Sequence, residues 1–113
     1  MIQIYHNSRC GKSRECLAFL EDSGHEIEVI KYLDEVPTFD ELKSIIEKLN
    51  IKPIELVRQK EKIWVENFKN KTMSDDEIIQ TMISNPILIE RPIAINGDRA
   101  VIARPLENVV TLL

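Results

Sequence analysis

Cys10 lies in a polar loop that contains the residue types able to activate a thiol. The loop is Tyr5-His6-Asn7-Ser8-Arg9-Cys10-Gly11-Lys12-Ser13-Arg14. A thiolate is the nucleophilic form of cysteine, and the start of a helix favours it because unpaired N–H groups and the helix dipole stabilise negative charge. His6, Arg9 and Lys12 add hydrogen bonds or positive charge, while Gly11 lets the backbone approach a ligand. These features predict thiol chemistry at Cys10 on a small anion.

Two better-known anion-binding motifs do not fit this loop. Gly11-Lys12-Ser13 matches the end of a nucleotide-binding P-loop, but His6 stands where that motif requires its first glycine. A tyrosine-phosphatase loop requires a longer spacing between its cysteine and arginine than the one from Cys10 to Arg14. Ser13 also occupies the second position of a would-be C-x-x-C pair.

Cys16 is predicted to have a different role from Cys10. The separation of the two along a helix corresponds to about 9 Å of rise, which places them too far apart for a disulfide. Cys16 also shares a helix face with Phe19 and Leu20, and a free cysteine behaves as a small apolar residue. We therefore expect Cys16 to pack in the core. The cysteines and histidines show no recognisable metal spacing, so we expect no metal and no bound cofactor.

The elements around the loop predict where Cys10 is held. Ile2-Gln3-Ile4-Tyr5 alternates like a short strand, and apolar residues recur at helical spacing from Ser13 to Ser23-Gly24, where glycine ends the helix. Residues 26–32 predict a second strand. A β-α-β unit of this kind has parallel strands, and it places Cys10 at the helix N-terminus.

The middle of the chain is predicted to be helical. Thr38-Phe39-Asp40-Glu41 and Ser74-Asp75-Asp76-Glu77 both match the capping box that begins a helix, and Pro86 ends the second of these helices. Residues 54–71, between the two, predict short helical turns.

The last part of the chain predicts a hairpin and a short helix. Apolar strands at 93–95 and 100–103 flank Asn96-Gly97, a strong hairpin signal. One face of the final segment carries four apolar residues at helical spacing, namely Leu106, Val109, Val110 and Leu113. The order β-α-β, helices, β-β-α is that of an α/β thioredoxin-like fold with a mixed sheet. We predict one domain over residues 1–113, with a helical insertion at about 37–86.

Composition limits the function classes. The 113 residues carry a net charge of −4 and therefore offer no general basic surface for nucleic acid or anionic lipid. No apolar run approaches the roughly 20 residues needed to cross a bilayer, and the start of the chain does not have the pattern of a signal peptide. We expect a cytoplasmic protein with neither nucleic-acid nor membrane partners, and its two cysteines as free thiols.

The active-site loop and three later segments together resemble the glutaredoxin-coupled arsenate reductase family. The later segments are Leu56-Val57-Arg58, Ile89-Glu90-Arg91-Pro92-Ile93 and Ala103-Arg104-Pro105. The capping box at Thr38 and the run Asn85-Pro86-Ile87-Leu88-Ile89 also resemble the family, so the likeness covers nearly the whole chain. In that family, the active-site loop commonly has proline where this chain has Ser8 and a small polar residue where it has Gly11.

The resemblance implies a mechanism with one protein cysteine. Cys10 attacks arsenate to form a thiol–arsenic adduct, glutathione attacks the adduct, and glutaredoxin removes the mixed disulfide as arsenite leaves. Glutathione is then a co-substrate rather than a bound cofactor.

The resemblance also assigns roles to other residues. Three arginines, whose guanidinium groups match a tetrahedral oxyanion, would bind arsenate together with the loop: Arg58, Arg91 and Arg104, with Gly11, Lys12 and Ser13. His6 would support the thiolate electrostatically. Asn7 and a cis Pro92 would be structural residues near the site.

Two alternatives remain open beside arsenate reduction. Proteins of this fold include glutathione-dependent reductases of other substrates and thiol-stress regulators that bind RNA polymerase. The regulators often carry a C-x-x-C switch near the N-terminus, which this chain does not have.

Overall fold

The structure, a computed structural model, describes residues 1–113 and divides into two compact units. The first unit combines Met1–Glu35 with Arg91–Leu113, and the second is Val36–Glu90. The second unit contains the helical segment predicted at about 37–86 and extends to Glu90. The assignment of residues 1–113 to a single domain stays a prediction.

The first unit contains a four-stranded mixed sheet. Its strands are β1 (Ile2–Tyr5), β2 (Ile27–Ile30), β3 (Ile93–Asn96) and β4 (Arg99–Ile102), in the order β2-β1-β3-β4. β1 pairs in parallel with β2, whereas the β1–β3 and β3–β4 pairs are antiparallel. Helix α1 (Gly11–Asp22) connects β1 to β2. This arrangement confirms the predicted α/β thioredoxin-like fold.

The core of the first unit joins α1, the sheet and the C-terminal segment. Cys16 and Leu20, one turn apart on α1, are both fully buried, as the helical spacing predicts. Their cluster is formed by buried residues of all three parts of the unit: Ile2, Ile4, Cys16, Leu20, Ala94, Ala103, Val109 and Leu112. The prediction that Cys16 packs in the core is confirmed.

The C-terminal segment is a 3₁₀ helix, Leu106–Leu112, and the predicted apolar face was wrong. Val109 and Leu112 are buried, but Val110 is 54% exposed and Leu113 is 45% exposed. A 3₁₀ helix has three residues per turn, so side chains three apart share a face. The buried face therefore follows the spacing of Leu106, Val109 and Leu112 instead of the α-helical spacing.

The hairpin turn lies one residue later than predicted. Asn96 pairs with Arg99, which leaves Gly97 and Asp98 as the two-residue loop. Gly97 has a φ of 65°. Type II′ turns favour glycine at this first central position because a side chain is strained at positive φ.

The second unit is helical. Its α-helices are α2 (Phe39–Leu49), α3 (Lys62–Asn67) and α4 (Asp75–Ser84), with 3₁₀ turns at Pro53–Leu56 and Pro86–Leu88. Both predicted capping boxes are present, one between Thr38 and Glu41 and one between Ser74 and Glu77. α2 and both 3₁₀ turns pack against α4. None of the helices in the structure has the length and apolar character needed to span a membrane.

Candidate active site around Cys10

Cys10 is the N-cap residue of α1. Its φ and ψ of −98° and 122° are extended, and its carbonyl accepts the first helical hydrogen bond, from the N–H of Arg14 at 3.0 Å. The N–H groups of Gly11, Lys12 and Ser13 therefore belong to the first turn, where no intrahelical acceptor exists. Cys10 is half-buried and lies at the positive end of the helix dipole, where an anionic ligand would be stabilised.

Arg104 contacts the sulfur of Cys10 directly. Its Nη2 lies 3.2 Å from Cys10 Sγ, and its Nε donates a 2.7 Å hydrogen bond to the carbonyl oxygen of Arg91. The second bond orients the guanidinium plane, so its charge is held against the thiol. Hydrogen bonds of this charge-assisted kind are about twice as strong as neutral ones.

Two Arg-Pro segments meet at this end of the hairpin. Arg91 and Pro92 precede β3, Arg104 follows β4, and the antiparallel pairing of Ile93 with Ile102 brings the segments together. Arg91 is buried, and the Arg91–Pro92 bond is cis, as the family resemblance implies. The Arg104–Pro105 bond is also cis, which the sequence analysis did not anticipate.

His6, Asn7 and Ser13 form a buried hydrogen-bond network beneath the loop. His6 Nδ1 lies 2.7 Å from Ser13 Oγ, which also accepts a 3.0 Å hydrogen bond from the backbone N–H of Asn7. The Asn7 side-chain oxygen accepts a hydrogen bond from the N–H of Arg9. Asn7 therefore bonds to the loop on both sides, and its structural role near the site stays a prediction.

The pKa of His6 is lowered from its ordinary value of 6.5, first by burial and then by the positive charges of Lys31 and Arg14. A neutral imidazole is therefore favoured near neutral pH. The contact with Ser13 lets His6 position the loop, and the predicted electrostatic support of the thiolate by His6 stays a prediction. Ser13 is fully buried, and its predicted part in substrate binding stays a prediction.

An open cavity of ≈610 Å³ lies beside the thiol and is lined by Cys10, Gly11, Lys12, Arg14 and Glu15. Arg14 donates from Nη1 to the carbonyl oxygen of Ser8 at 2.9 Å. A Cβ added to Gly11 would lie 3.7 Å from Nη2 of Arg14, so this guanidinium extends back over the start of α1. Arg14 was not among the residues predicted to form the site. Its position four residues after Cys10, on the same helix face, was the available signal.

Arg58 lies in the second unit. Its backbone N–H donates to Leu88, and the neighbouring Val57 forms an isolated antiparallel bridge with Ile89. The side chain is 23% exposed and pairs with Glu61 at 2.6 Å (Nη1 to Oε1) and with Glu90 at 3.7 Å (Nε to Oε1). Its role in oxyanion binding stays a prediction.

The buried thiol of Cys16 is chemically unlike that of Cys10. Burial raises the pKa of Cys16 to about 11, so this thiol is protonated at neutral pH. No group of three or more His, Cys, Asp and Glu side chains is arranged to hold a metal ion.

Comparison with known sequence families gives a match over nearly the whole chain. The sequence profile of the ArsC family matches residues 5–112. The chain belongs to the ArsC family. Membership agrees with the family resemblance found in the sequence.

Three relatives of this ArsC-family chain are similar over nearly their full length. An arsenate reductase of Haemophilus influenzae is 41% identical over 112 residues, which cover 97% of each chain. The uncharacterised protein YfgD of Escherichia coli is 40% identical, covering 99% of this chain and 96% of that protein. A solved structure of the arsenate reductase from Vibrio cholerae has a TM-score of 0.94 and 40% identity, and the match covers 99% of this chain and 97% of that one.

Within the ArsC-family chain, the first unit therefore brings together a large part of the predicted site. Cys10, Arg104 and the carbonyl of Arg91 are linked by hydrogen bonds, and Gly11 and Lys12 line the cavity at the thiol. The arrangement suits attack by a thiolate on an anion, because a fixed guanidinium and the helix N-terminus lie where negative charge would accumulate.

Proposed function

We propose that this protein reduces arsenate to arsenite, with Cys10 as the only catalytic cysteine and glutathione and glutaredoxin as the source of electrons. The observation that carries the proposal is the 3.2 Å contact between Arg104 Nη2 and Cys10 Sγ at the N-terminus of α1. Full-length similarity to an arsenate reductase of Haemophilus influenzae supports arsenate as the substrate.

In the first step, the Cys10 thiolate attacks the arsenic(V) atom. A sulfur–arsenic bond forms, and one arsenate oxygen leaves as water after taking up a proton. Nucleophile and substrate are both anions, so the attack needs nearby positive charge to offset their repulsion. Arg104, the buried Arg91 and the first-turn N–H groups of α1 supply it.

In the second step, the glutathione thiolate attacks the sulfur of Cys10. A disulfide forms between Cys10 and glutathione, and the sulfur–arsenic bond breaks with its electron pair staying on arsenic, which leaves as arsenite. The thiol of glutaredoxin then attacks the glutathione sulfur and releases Cys10 as a thiolate. No second protein cysteine is needed, in keeping with the burial of Cys16.

Two further residues have supporting roles in this scheme. His6 positions the loop through its contact with Ser13, so that the first turn of α1 presents its N–H groups to the substrate. The family resemblance gives Arg58 an oxyanion-binding role, and within its own unit the carboxylates of Glu61 and Glu90 orient its guanidinium group.

A second candidate function is the glutathione-dependent reduction of a different substrate. It is favoured by the Cys10–Arg104 contact, which would assist thiolate attack on a small anion other than arsenate in the same way. The same site chemistry would operate, with another anion in place of arsenate. Both functions fit a cytoplasmic location, where thiols are kept reduced.

The test is NADPH consumption by the purified protein with glutathione, glutathione reductase, glutaredoxin and arsenate. We expect arsenate-dependent oxidation of NADPH by the wild type and none by Cys10→Ser. Background rates in the wild type, together with glutathionylation of Cys10, would favour the second candidate. Background rates together with retention of RNA polymerase from a cell lysate would favour the regulator alternative.

A further inference from the structure

The cavity at Cys10 is lined by charged side chains of both signs. Besides Cys10 and Gly11, its lining consists of two cations, Lys12 and Arg14, and one carboxylate, Glu15. Lys12 Nζ and Glu15 Oε2 lie 3.8 Å apart, and their side chains are 63% and 59% exposed. Such an exposed pair is held weakly, so both groups are available to a ligand.

Glutathione carries the complementary set of charges at neutral pH. It has two carboxylates and one ammonium group, against the two cations and one carboxylate of the cavity. The cavity volume of ≈610 Å³ lies in the range typical of small-molecule sites. Because Cys10 is part of the lining, a tripeptide bound there would have its own sulfur beside Sγ.

We infer that this cavity is the glutathione subsite, in which Glu15 accepts the ammonium group and Lys12 and Arg14 bind the carboxylates. This inference rests on the proposed function, which requires glutathione to reach the sulfur of Cys10. Arg14 is already oriented by its hydrogen bond to the carbonyl oxygen of Ser8, which fixes one of the two cations.

A second cavity in the same unit provides an internal comparison. It has a volume of ≈300 Å³ and is lined by His6, Asn7, Ser8, Arg9, Lys31, Leu33 and Asp34. It also contains two exposed cations, Arg9 and Lys31, and one exposed carboxylate, Asp34. Cys10 is not part of its lining, so a tripeptide there would not present its sulfur to the catalytic thiol.

The inference can be tested without arsenate, by reacting Cys10 with glutathione disulfide. The Cys10 thiolate attacks one sulfur, a Cys10–glutathione disulfide forms, the original disulfide breaks, and one glutathione leaves as a thiolate. The rate is compared with that of the disulfide of N-acetylglutathione, in which the ammonium is replaced by a neutral amide. The ratio of the two rates cancels any change in the reactivity of Cys10 itself.

We expect the wild type to react up to about fivefold faster with glutathione disulfide, the range for an exposed ion pair. Glu15→Gln should bring this ratio to about one, and Asp34→Asn, at the second cavity, should leave it unchanged. A ratio of one in the wild type, a ratio that survives Glu15→Gln, or a ratio lost in Asp34→Asn would each overturn the inference. Failure of arsenate reduction would leave these ratios unaffected, so the two failures are distinguishable.

Discussion

Replacing Arg104 with alanine is the most direct test of how the site works. The substitution removes the Nη2 contact with Cys10 Sγ at 3.2 Å and the Nε hydrogen bond to the carbonyl oxygen of Arg91. A hydrogen bond to a charged group contributes roughly 1.5–3 kcal/mol, which corresponds to a loss of roughly 10- to 150-fold in kcat/KM for arsenate. The assay is arsenate-dependent NADPH oxidation in the coupled glutaredoxin system. Alkylation of Cys10 by iodoacetamide at neutral pH is a second readout, and its rate should also fall.

Two variants control this experiment. Arg104→Lys keeps the charge but loses the planar guanidinium whose Nε and Nη2 make the two contacts, so we expect only partial rescue. Arg99→Ala removes an exposed arginine of the same hairpin, which bonds to Thr111 instead, and should leave kcat/KM unchanged. If Arg104→Ala retained wild-type kinetics and alkylation within twofold, the arginine would have no part in activating the thiol or in binding the oxyanion.

Three other predictions address the cysteines, the buried histidine and the hairpin. Cys10→Ser should abolish turnover, and Cys16→Ser should retain most of it. Thiol titration should detect one reactive cysteine in the native protein and two in urea, because Cys16 is buried with a pKa raised to about 11. The pKa of His6 is lowered below 6.5 in the folded protein, so as the pH falls the unfolded chain takes up the His6 proton first. In urea unfolding, the free energy of unfolding should therefore fall as the pH decreases from about 6.5 and level off below the folded pKa. This pH dependence should be absent in His6→Gln. Gly97→Ala should lower the free energy of unfolding in urea by about 1 kcal/mol, because φ at Gly97 is 65°. Gly11→Ala should lower it little, because the added Cβ would lie at an ordinary 3.7 Å from Arg14.

The elements that depend on local signals could be predicted from the sequence. Thr38 and Ser74 begin helices because the hydroxyl and the carboxylate three residues later satisfy N–H groups within the same turn. Cys10 could be placed at a helix N-terminus for a similar reason, since a short alternating strand leads into the loop and helical spacing follows it.

The features that could not be predicted from the sequence depend on contacts between distant residues or on small differences in helix geometry. The exposed Val110 shows that 3₁₀ and α spacing cannot be separated over so short an apolar segment. The pKa of His6 is lowered first by burial and then by Lys31, which follows β2 and is brought close when β2 pairs with β1. Arg14 was overlooked because its guanidinium is placed by a side-chain conformation, and sequence spacing specifies only its helix face.

The bond between Arg104 and Cys10 joins residues 94 positions apart in the chain. During synthesis at about 5–20 residues per second, Cys10 therefore leaves the ribosome's catalytic centre roughly 5–20 s before Arg104 is added. Throughout that interval the nascent thiol has neither its arginine nor the β3–β4 hairpin beside it. The thiol therefore cannot reach its full reactivity before Arg104 has been added. Until then, the growing chain meets oxidants and electrophiles with an active site that is still incomplete.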